Sequence, residues 1–125
     1  MQTIVLIMQR KLIAQRLTQK LCGNPDLHLV CDPDYAHADD VIQSHEAKAA
    51  LIEATEEGAY GTSYCLTLCA WLKELLPACK LLLMCPEHDK AGVTKAMEAK
   101  REGRIYDFVF YDASIDYLAS KLLSL

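Results

Sequence analysis

The sequence AALIEATEEG occupies residues 49–58 and joins an apolar run to an acidic residue. Its first four side chains are all apolar, which is typical of a strand buried on both faces of a parallel sheet. Glu53 follows at the point where this strand ends, and the glutamates and glycine beyond it indicate a loop. In open α/β sheets, functional groups gather at the carboxyl ends of the strands. Glu53 is therefore the first candidate functional residue.

The same alternation of strand and helix extends in both directions from this stretch. Helical spacing of apolar residues predicts helices over residues 9–22, 35–45, 62–76, 87–101 and 115–123. Short apolar runs predict strands over residues 3–8, 27–31, 48–54, 80–85 and 106–111. Five consecutive strand–helix units predict a single α/β domain over residues 1–125, with a doubly wound parallel sheet and helices on both faces.

The third helix has the strongest pattern, and the fifth has a recognisable start. Thr62 or Ser63 is expected to cap the third helix, and Ser114 the fifth. Apolar residues of the third helix recur at three- and four-residue steps, the spacing of one helix face, at Tyr64, Leu68, Trp71, Leu72 and Leu75.

Composition and charge exclude several classes of function. A chain of 125 residues with 52% hydrophobic and 24% charged residues fits one soluble globular domain. No apolar run approaches the roughly 20 residues that span a bilayer, so no membrane association is expected. The first residues read as a strand because no basic segment precedes them, which predicts a cytoplasmic protein. A net charge of −4 argues against direct nucleic-acid binding by this domain.

The six cysteines are expected to be reduced thiols that lie in the core or are partly buried. They form no CxxC pair, and a cytosolic location favours free thiols. Cys65 and Cys69 share one helix face, but a structural zinc site needs four ligands and no matching pair is evident. We therefore expect neither a metal site nor a cofactor.

Four segments match one known family in register: residues 10–21 in the first helix, 57–61 in the loop after the third strand, 75–77 at the end of the third helix and 107–111 in the fifth strand. Together they resemble the receiver domain of response regulators, the phosphoacceptor module of two-component signalling. The resemblance covers essentially the whole chain. It implies a flavodoxin-like fold in three layers, with a five-stranded parallel sheet of order 2-1-3-4-5.

The residues at the family's chemical positions depart from the family pattern. Receivers carry two adjacent acids after the first strand to hold Mg²⁺, where this chain has Met8 and Gln9, or Gln9 and Arg10 one residue later. The phosphoaccepting aspartate corresponds to Glu53. The serine or threonine after the fourth strand, the lysine after the fifth and the proline that follows correspond to Cys85, Tyr111 and Asp112.

These departures predict a receiver that does not accept phosphate by the usual route. Phosphoryl transfer needs charge neutralisation and positioning, and only Arg10 offers a positive charge here. Two interpretations of Glu53 remain open. It is either a permanent negative charge that biases the domain toward one conformation, or a structural carboxylate held by Arg10 or by loop N–H groups.

Three further functions compete with this prediction. The domain is a divergent phosphoacceptor if Glu56, Glu57 or Asp112 replaces the usual acids. It is a small flavodoxin-like enzyme or cofactor binder if a phosphate-cradling loop follows the first strand, but that stretch has no glycine or serine. A Cys85–His88 nucleophile pair, or a redox role for Cys85, is a further hypothesis.

The resemblance also implies how a signalling domain of this kind meets its partners. Receivers dock a partner protein or a second copy through the fourth helix, fifth strand and fifth helix. Tyr106 and Tyr117 are the candidate residues of that face here. The expected protein is either a stand-alone regulator or the first part of a longer one, in which a DNA-binding effector domain is the common arrangement.

Overall fold

The sheet has five parallel strands in the order β2-β1-β3-β4-β5. A computed structural model describes residues 2–125 of the chain. The strands are β1 Gln2–Ile7, β2 Leu27–Asp32, β3 Ala49–Glu53, β4 Lys80–Cys85 and β5 Asp107–Phe110. The helices are α1 Lys11–Leu21, α2 Ala38–Ser44, α3 Thr62–Leu75, α4 Lys90–Arg101 and α5 Ile115–Leu123, with a short 3₁₀ turn, Tyr35–His37, before α2. The predicted fold class and strand order are confirmed.

Two apolar cores lie on opposite faces of the sheet. The central strands β1, β3 and β4 are buried on both faces, which explains why their sequences do not alternate. One core packs α2, α3 and α4 against the sheet, and the other packs α1 and α5. No helix among residues 2–125 is long enough and apolar enough to span a membrane.

Of the two predictions for helix N-caps, the one for α5 is confirmed and the one for α3 is wrong. Ser114 accepts a hydrogen bond from the Tyr117 N–H at the start of α5, as expected. Gly103, with a φ of +75°, follows α4, where only a glycine adopts this conformation without strain. The residue at the start of α3 is Gly61, which has no side chain to cap it. Thr62 instead donates its hydroxyl to Asp89.

The apolar spacing in α3 is helical, but it marks the buried face only in part. Leu68 and Leu72 are buried, whereas Tyr64, Trp71 and Leu75 are exposed. The apolar side chains that α3 buries are Cys65, Leu66, Leu68, Cys69 and Leu72.

The cysteine prediction holds for four of the six thiols. Cys65, Cys69, Cys79 and Cys85 are buried, consistent with free cysteine behaving as a small apolar side chain. Cys22 and Cys31 are exposed, which corrects the expectation that all six are core or partly buried thiols. Cys31 lies on β2, an edge strand that is only partly covered.

Candidate functional site

The carboxylate of Glu53 is fully buried at the carboxyl end of β3 and is bound on both of its oxygens. Its Oε1 accepts the backbone N–H groups of Gln9 at 2.8 Å and Arg10 at 3.2 Å. Its Oε2 accepts Nε–H of Arg10 in an ion pair. A buried carboxylate is stable only with partners of this kind. The chain therefore provides its own anion at the start of α1, where backbone N–H groups otherwise bind external anions.

Arg10 lies between three groups that hold its guanidinium in place. Besides the ion pair with Glu53, its Nη2 lies 3.1 Å from the sulfur of Met84. Its Cζ lies 3.4 Å from the centre of the Tyr111 ring, a cation–π contact at close range. The side chain keeps 30% of its surface exposed, so the guanidinium closes the site on the solvent side.

A second set of contacts holds the backbone around Glu53. The hydroxyl of the buried Tyr35 donates to the carbonyl oxygen of Glu53 at 2.6 Å. The rings of Tyr35 and Tyr60 stack with centres 4.1 Å apart. These contacts link the loop after β3 to the turn before α2, and burial raises the pKa of Tyr35 far above its usual value. No sequence pattern marks these tyrosines, or Met84, as site residues.

The remaining residues predicted for the pocket occupy different positions around it. Gln9 contributes its backbone N–H, while its side chain turns away and donates to the carbonyl of Pro33 at 3.1 Å. Tyr111 covers Arg10, and burial, followed by the charge of Glu53, raises the pKa of its hydroxyl. Cys85 is fully buried, and burial raises the pKa of its thiol to about 11.

The donor set around Glu53 does not fit a divalent cation. Mg²⁺ prefers carboxylates and water at an open, octahedral position, and here the single carboxylate already binds a guanidinium and two N–H groups. Across residues 2–125, no three His, Cys, Asp or Glu side chains cluster in a way that suits a metal ion.

Solved structures identify the fold to which this arrangement belongs. Neither a protein-family model nor a curated protein matches the sequence. A DNA-binding response regulator of the LuxR family from Staphylococcus aureus superposes with a TM-score of 0.76 at 13% identity, covering 99% of this chain and 98% of that one. A response regulator from Thermotoga maritima gives 0.78 at 13% identity, covering 98% and 95%. The chain has the receiver-domain fold.

Proteins with other descriptions also share this fold. An adenylate cyclase from Rhodopirellula baltica superposes with a TM-score of 0.79 at 17% identity, covering 98% of this chain and 85% of that one. At identities this low the likeness concerns the fold alone, so the function has to be argued from the site itself.

The Cys85–His88 pair is not formed in this receiver fold. The imidazole of His88 is exposed and lies 3.8 Å from the carboxylate of Glu56, at the outer rim of the site. Cys85 is buried, and its raised pKa keeps the thiol protonated at neutral pH, so it lacks the thiolate that a nucleophile or redox sensor needs.

The two tyrosines predicted for a partner face lie in different clefts of the receiver fold. Tyr117 lines a cleft of about 460 Å³ together with Lys100 of α4 and Phe110 of β5. Tyr106 precedes β5 and lines a separate cleft of about 440 Å³ at the amino end of the sheet. Both tyrosines are exposed, but only Tyr117 lies in the cleft formed by α4, β5 and α5.

Proposed function

We propose that this chain is the receiver-type signalling module of a response regulator, acting in the cytoplasm through protein contacts. It is a single domain over residues 1–125, has no enzymatic activity of its own and works without Mg²⁺-dependent aspartyl phosphorylation. The observation that carries the proposal is the ion pair between Arg10 and the buried Glu53 at the end of β3. The receiver fold supports the signalling class.

The ion pair leaves a phosphodonor without the groups that the reaction needs. Attack on phosphorus requires a carboxylate oxygen aligned with the leaving group, and both oxygens of Glu53 are engaged. Glutamate is also one methylene longer than aspartate. Developing charge on the phosphoryl group is normally neutralised by Mg²⁺ and lysine, and here Arg10 is already paired with Glu53.

The same contacts support a domain held in one conformation. Arg10 bridges Glu53 on β3 to Tyr111, which directly follows β5. The pocket and the end of β5 are therefore joined by a permanent contact rather than by one that forms on phosphorylation. Under this proposal Glu53 serves both interpretations, because its carboxylate is structural and its charge holds the domain in one state.

The surface that meets a partner is proposed to be the face formed by α4, β5 and α5. Phe110 and Tyr117 are exposed there, 37% and 50% respectively, around the cleft of about 460 Å³. Exposed aromatic residues at the edge of a sheet are typical anchors of protein interfaces. The occupant is a partner protein or a second copy of the chain.

Treatment with a small phosphodonor and Mg²⁺, followed by intact mass, tests the proposal. We expect no phosphoryl adduct on the wild-type chain, and a matched typical receiver serves as the positive control. A stoichiometric phosphoryl adduct would contradict the proposal and favour the divergent phosphoacceptor. Its candidate acids, Glu56, Glu57 and Asp112, are all exposed around the Glu53 site. Peptide mapping of the adduct then identifies the acid.

Self-association of charge-introducing variants tests the partner face. We expect Tyr117→Glu to weaken dimerisation or partner binding, while Tyr64→Glu, which alters an exposed aromatic on α3, leaves it unchanged. Sedimentation equilibrium measures the dimer, and a pull-down quantifies a partner. Equal effects of the two substitutions would contradict the assignment of the face.

A further inference from the structure

The amino end of β4 and β5 carries a concentration of positive charge in an otherwise acidic protein. The chain has a net charge of −4, yet four basic side chains and no carboxylate line an open cleft of about 440 Å³. They come from the end of α3, the start of β4, the end of α4 and the loop before β5. These residues are Lys73, Lys80, Lys100 and Arg104.

Two of these cations are not neutralised within the chain. Lys100 pairs with Asp107 at 2.9 Å, and Arg104 pairs with the exposed Glu102 at 3.0 Å. Among residues 2–125, neither Lys73 nor Lys80 has a carboxylate within 4 Å. The ammonium of Lys80 lies 4.9 Å from the centre of the Tyr106 ring. The cleft therefore holds positive charge that the fold does not use.

The cations are not required to cap the two helices that end here. The carbonyl of Ala99 accepts the Arg104 N–H at 2.8 Å, and the carbonyl of Lys100 accepts the Gly103 N–H at 3.1 Å. In α3, the carbonyl of Leu72 accepts the Leu76 N–H at 2.7 Å. Backbone N–H groups thus satisfy these carbonyls, so the basic side chains are free to bind an anion. Their positive charges also interact favourably with the negative ends of the helix dipoles.

We propose that this cleft binds a nucleoside polyphosphate. Lys73 and Lys80 supply point charges that are unpaired within residues 2–125. Arg104, whose Nε–H donates to the glutamate two residues earlier, can direct its terminal N–H groups to phosphate oxygens. Tyr106 has 45% of its surface exposed and offers a ring against which a base can stack. The volume of about 440 Å³ lies within the roughly 300–1,000 Å³ of small-molecule sites. The site lies at the opposite end of the sheet from Glu53 and does not depend on the proposed signalling function.

Calorimetric titration with ATP, inorganic triphosphate and adenosine tests the site and separates its two parts. We expect triphosphate to bind, ATP to bind more tightly and adenosine not to bind. In the double variant Lys80→Glu/Arg104→Glu, the affinity for ATP should fall by about a hundredfold or more, because two charge-assisted contacts worth about tenfold each are lost. Lys90→Glu, which reverses a charge at the other end of α4, is the matched control and should leave the affinity unchanged.

Three results would overturn the proposal. The first is the absence of binding heat with both ATP and triphosphate at millimolar concentration. The second is an equal loss of ATP affinity in the Lys90→Glu control. The third is ATP binding no tighter than triphosphate, which would show that the nucleoside makes no contact in the cleft. If the double variant does not fold, chemical-shift mapping on the wild-type chain replaces it. The amides of residues 73, 80, 100, 104 and 106 should then shift with ATP, and shifts confined to other residues would refute the site.

Discussion

The two ends of the sheet differ in how they pair their charges, since the amino end leaves two lysines unpaired within residues 2–125, beside its ion pairs. At the carboxyl end, Glu53 and Arg10 form an ion pair inside the chain, and one partner is fully buried. At the amino end, Lys73 and Lys80 are exposed and have no carboxylate partner in the described part of the chain. A buried pair is required for the fold, because either charge alone is costly. Unpaired surface charge contributes little to stability and remains available for a ligand.

The largest expected effect comes from breaking the pair at the carboxyl end. Arg10→Met leaves the Glu53 carboxylate buried without its counter-ion, so we expect the free energy of unfolding to fall by about 3–5 kcal/mol. Urea denaturation at neutral pH measures the loss. Lys11→Met, at the neighbouring exposed position, is the control and should change stability by less than about 0.5 kcal/mol. Similar losses for both variants would show that the ion pair is not required.

Removing both charges sharpens the same comparison. The double variant Arg10→Met/Glu53→Met has no buried charge, so it should recover part of the stability that Arg10→Met loses. Recovery is incomplete because the N–H groups of Gln9 and Arg10 then lack their acceptor, at a cost of about 1–3 kcal/mol. A double variant less stable than Arg10→Met would mean that the carboxylate stabilises the fold without its partner.

Tyr35→Phe should have an intermediate effect at the same end. It removes a buried hydroxyl that donates to the Glu53 carbonyl at 2.6 Å, while the stacking on Tyr60 is retained. We expect a loss of about 1–2 kcal/mol in the free energy of unfolding. Tyr64→Phe alters an exposed tyrosine and should be nearly silent. If the two variants unfold at the same urea concentration, the Tyr35 hydrogen bond is not holding the loop.

The fold was predictable because it rests on patterns along the chain. The unalternating runs of β3 and β4 indicate strands buried on both faces, and the order of the strands came from the resemblance to receivers. The position of Glu53 at a strand end follows from the same pattern. Its partner Arg10 was proposed as one alternative, because this basic residue follows β1 within a few residues.

Contacts that depend on tertiary packing were not predictable. Met84 and Tyr35 meet the site from β4 and from the turn before α2, and nothing in their local sequence marks them as partners of Arg10 and Glu53. The outward orientation of Trp71 depends on how α3 rotates over the sheet, which apolar spacing alone does not fix because α3 is apolar on more than one face. The basic cleft is formed by residues from four separate segments, so it could not be predicted from the net charge of the chain.

The pH dependence of stability in an Asp107 variant tests the ion pairs at the amino end of the sheet. Burial pushes its pKa up, but hydrogen bonds from Lys121 and Lys100 outweigh this and hold the pKa below its usual value. A lowered pKa gives stability that is present above the unfolded-state pKa, about 4, and is lost as the pH falls through the folded-state value. We expect Asp107→Asn to be about 1 kcal/mol less stable at pH 7. Urea denaturation across pH should show this difference shrinking below about pH 4, whereas a difference independent of pH would contradict the role of the charge.

Lys80→Gln should have the smallest effect on stability, and its sign is informative. Lys80 has no carboxylate partner, and its contact with Tyr106 at 4.9 Å is exposed, so the substitution removes little. It also removes repulsion from the other cations of the cleft, which favours the folded chain. We therefore expect a change within about 0.5 kcal/mol, toward higher stability, in urea denaturation at low salt. Added salt should remove the gain by screening the repulsion, whereas a clear loss of stability would mean that the Lys80 ammonium has a structural role and is not available for an anion.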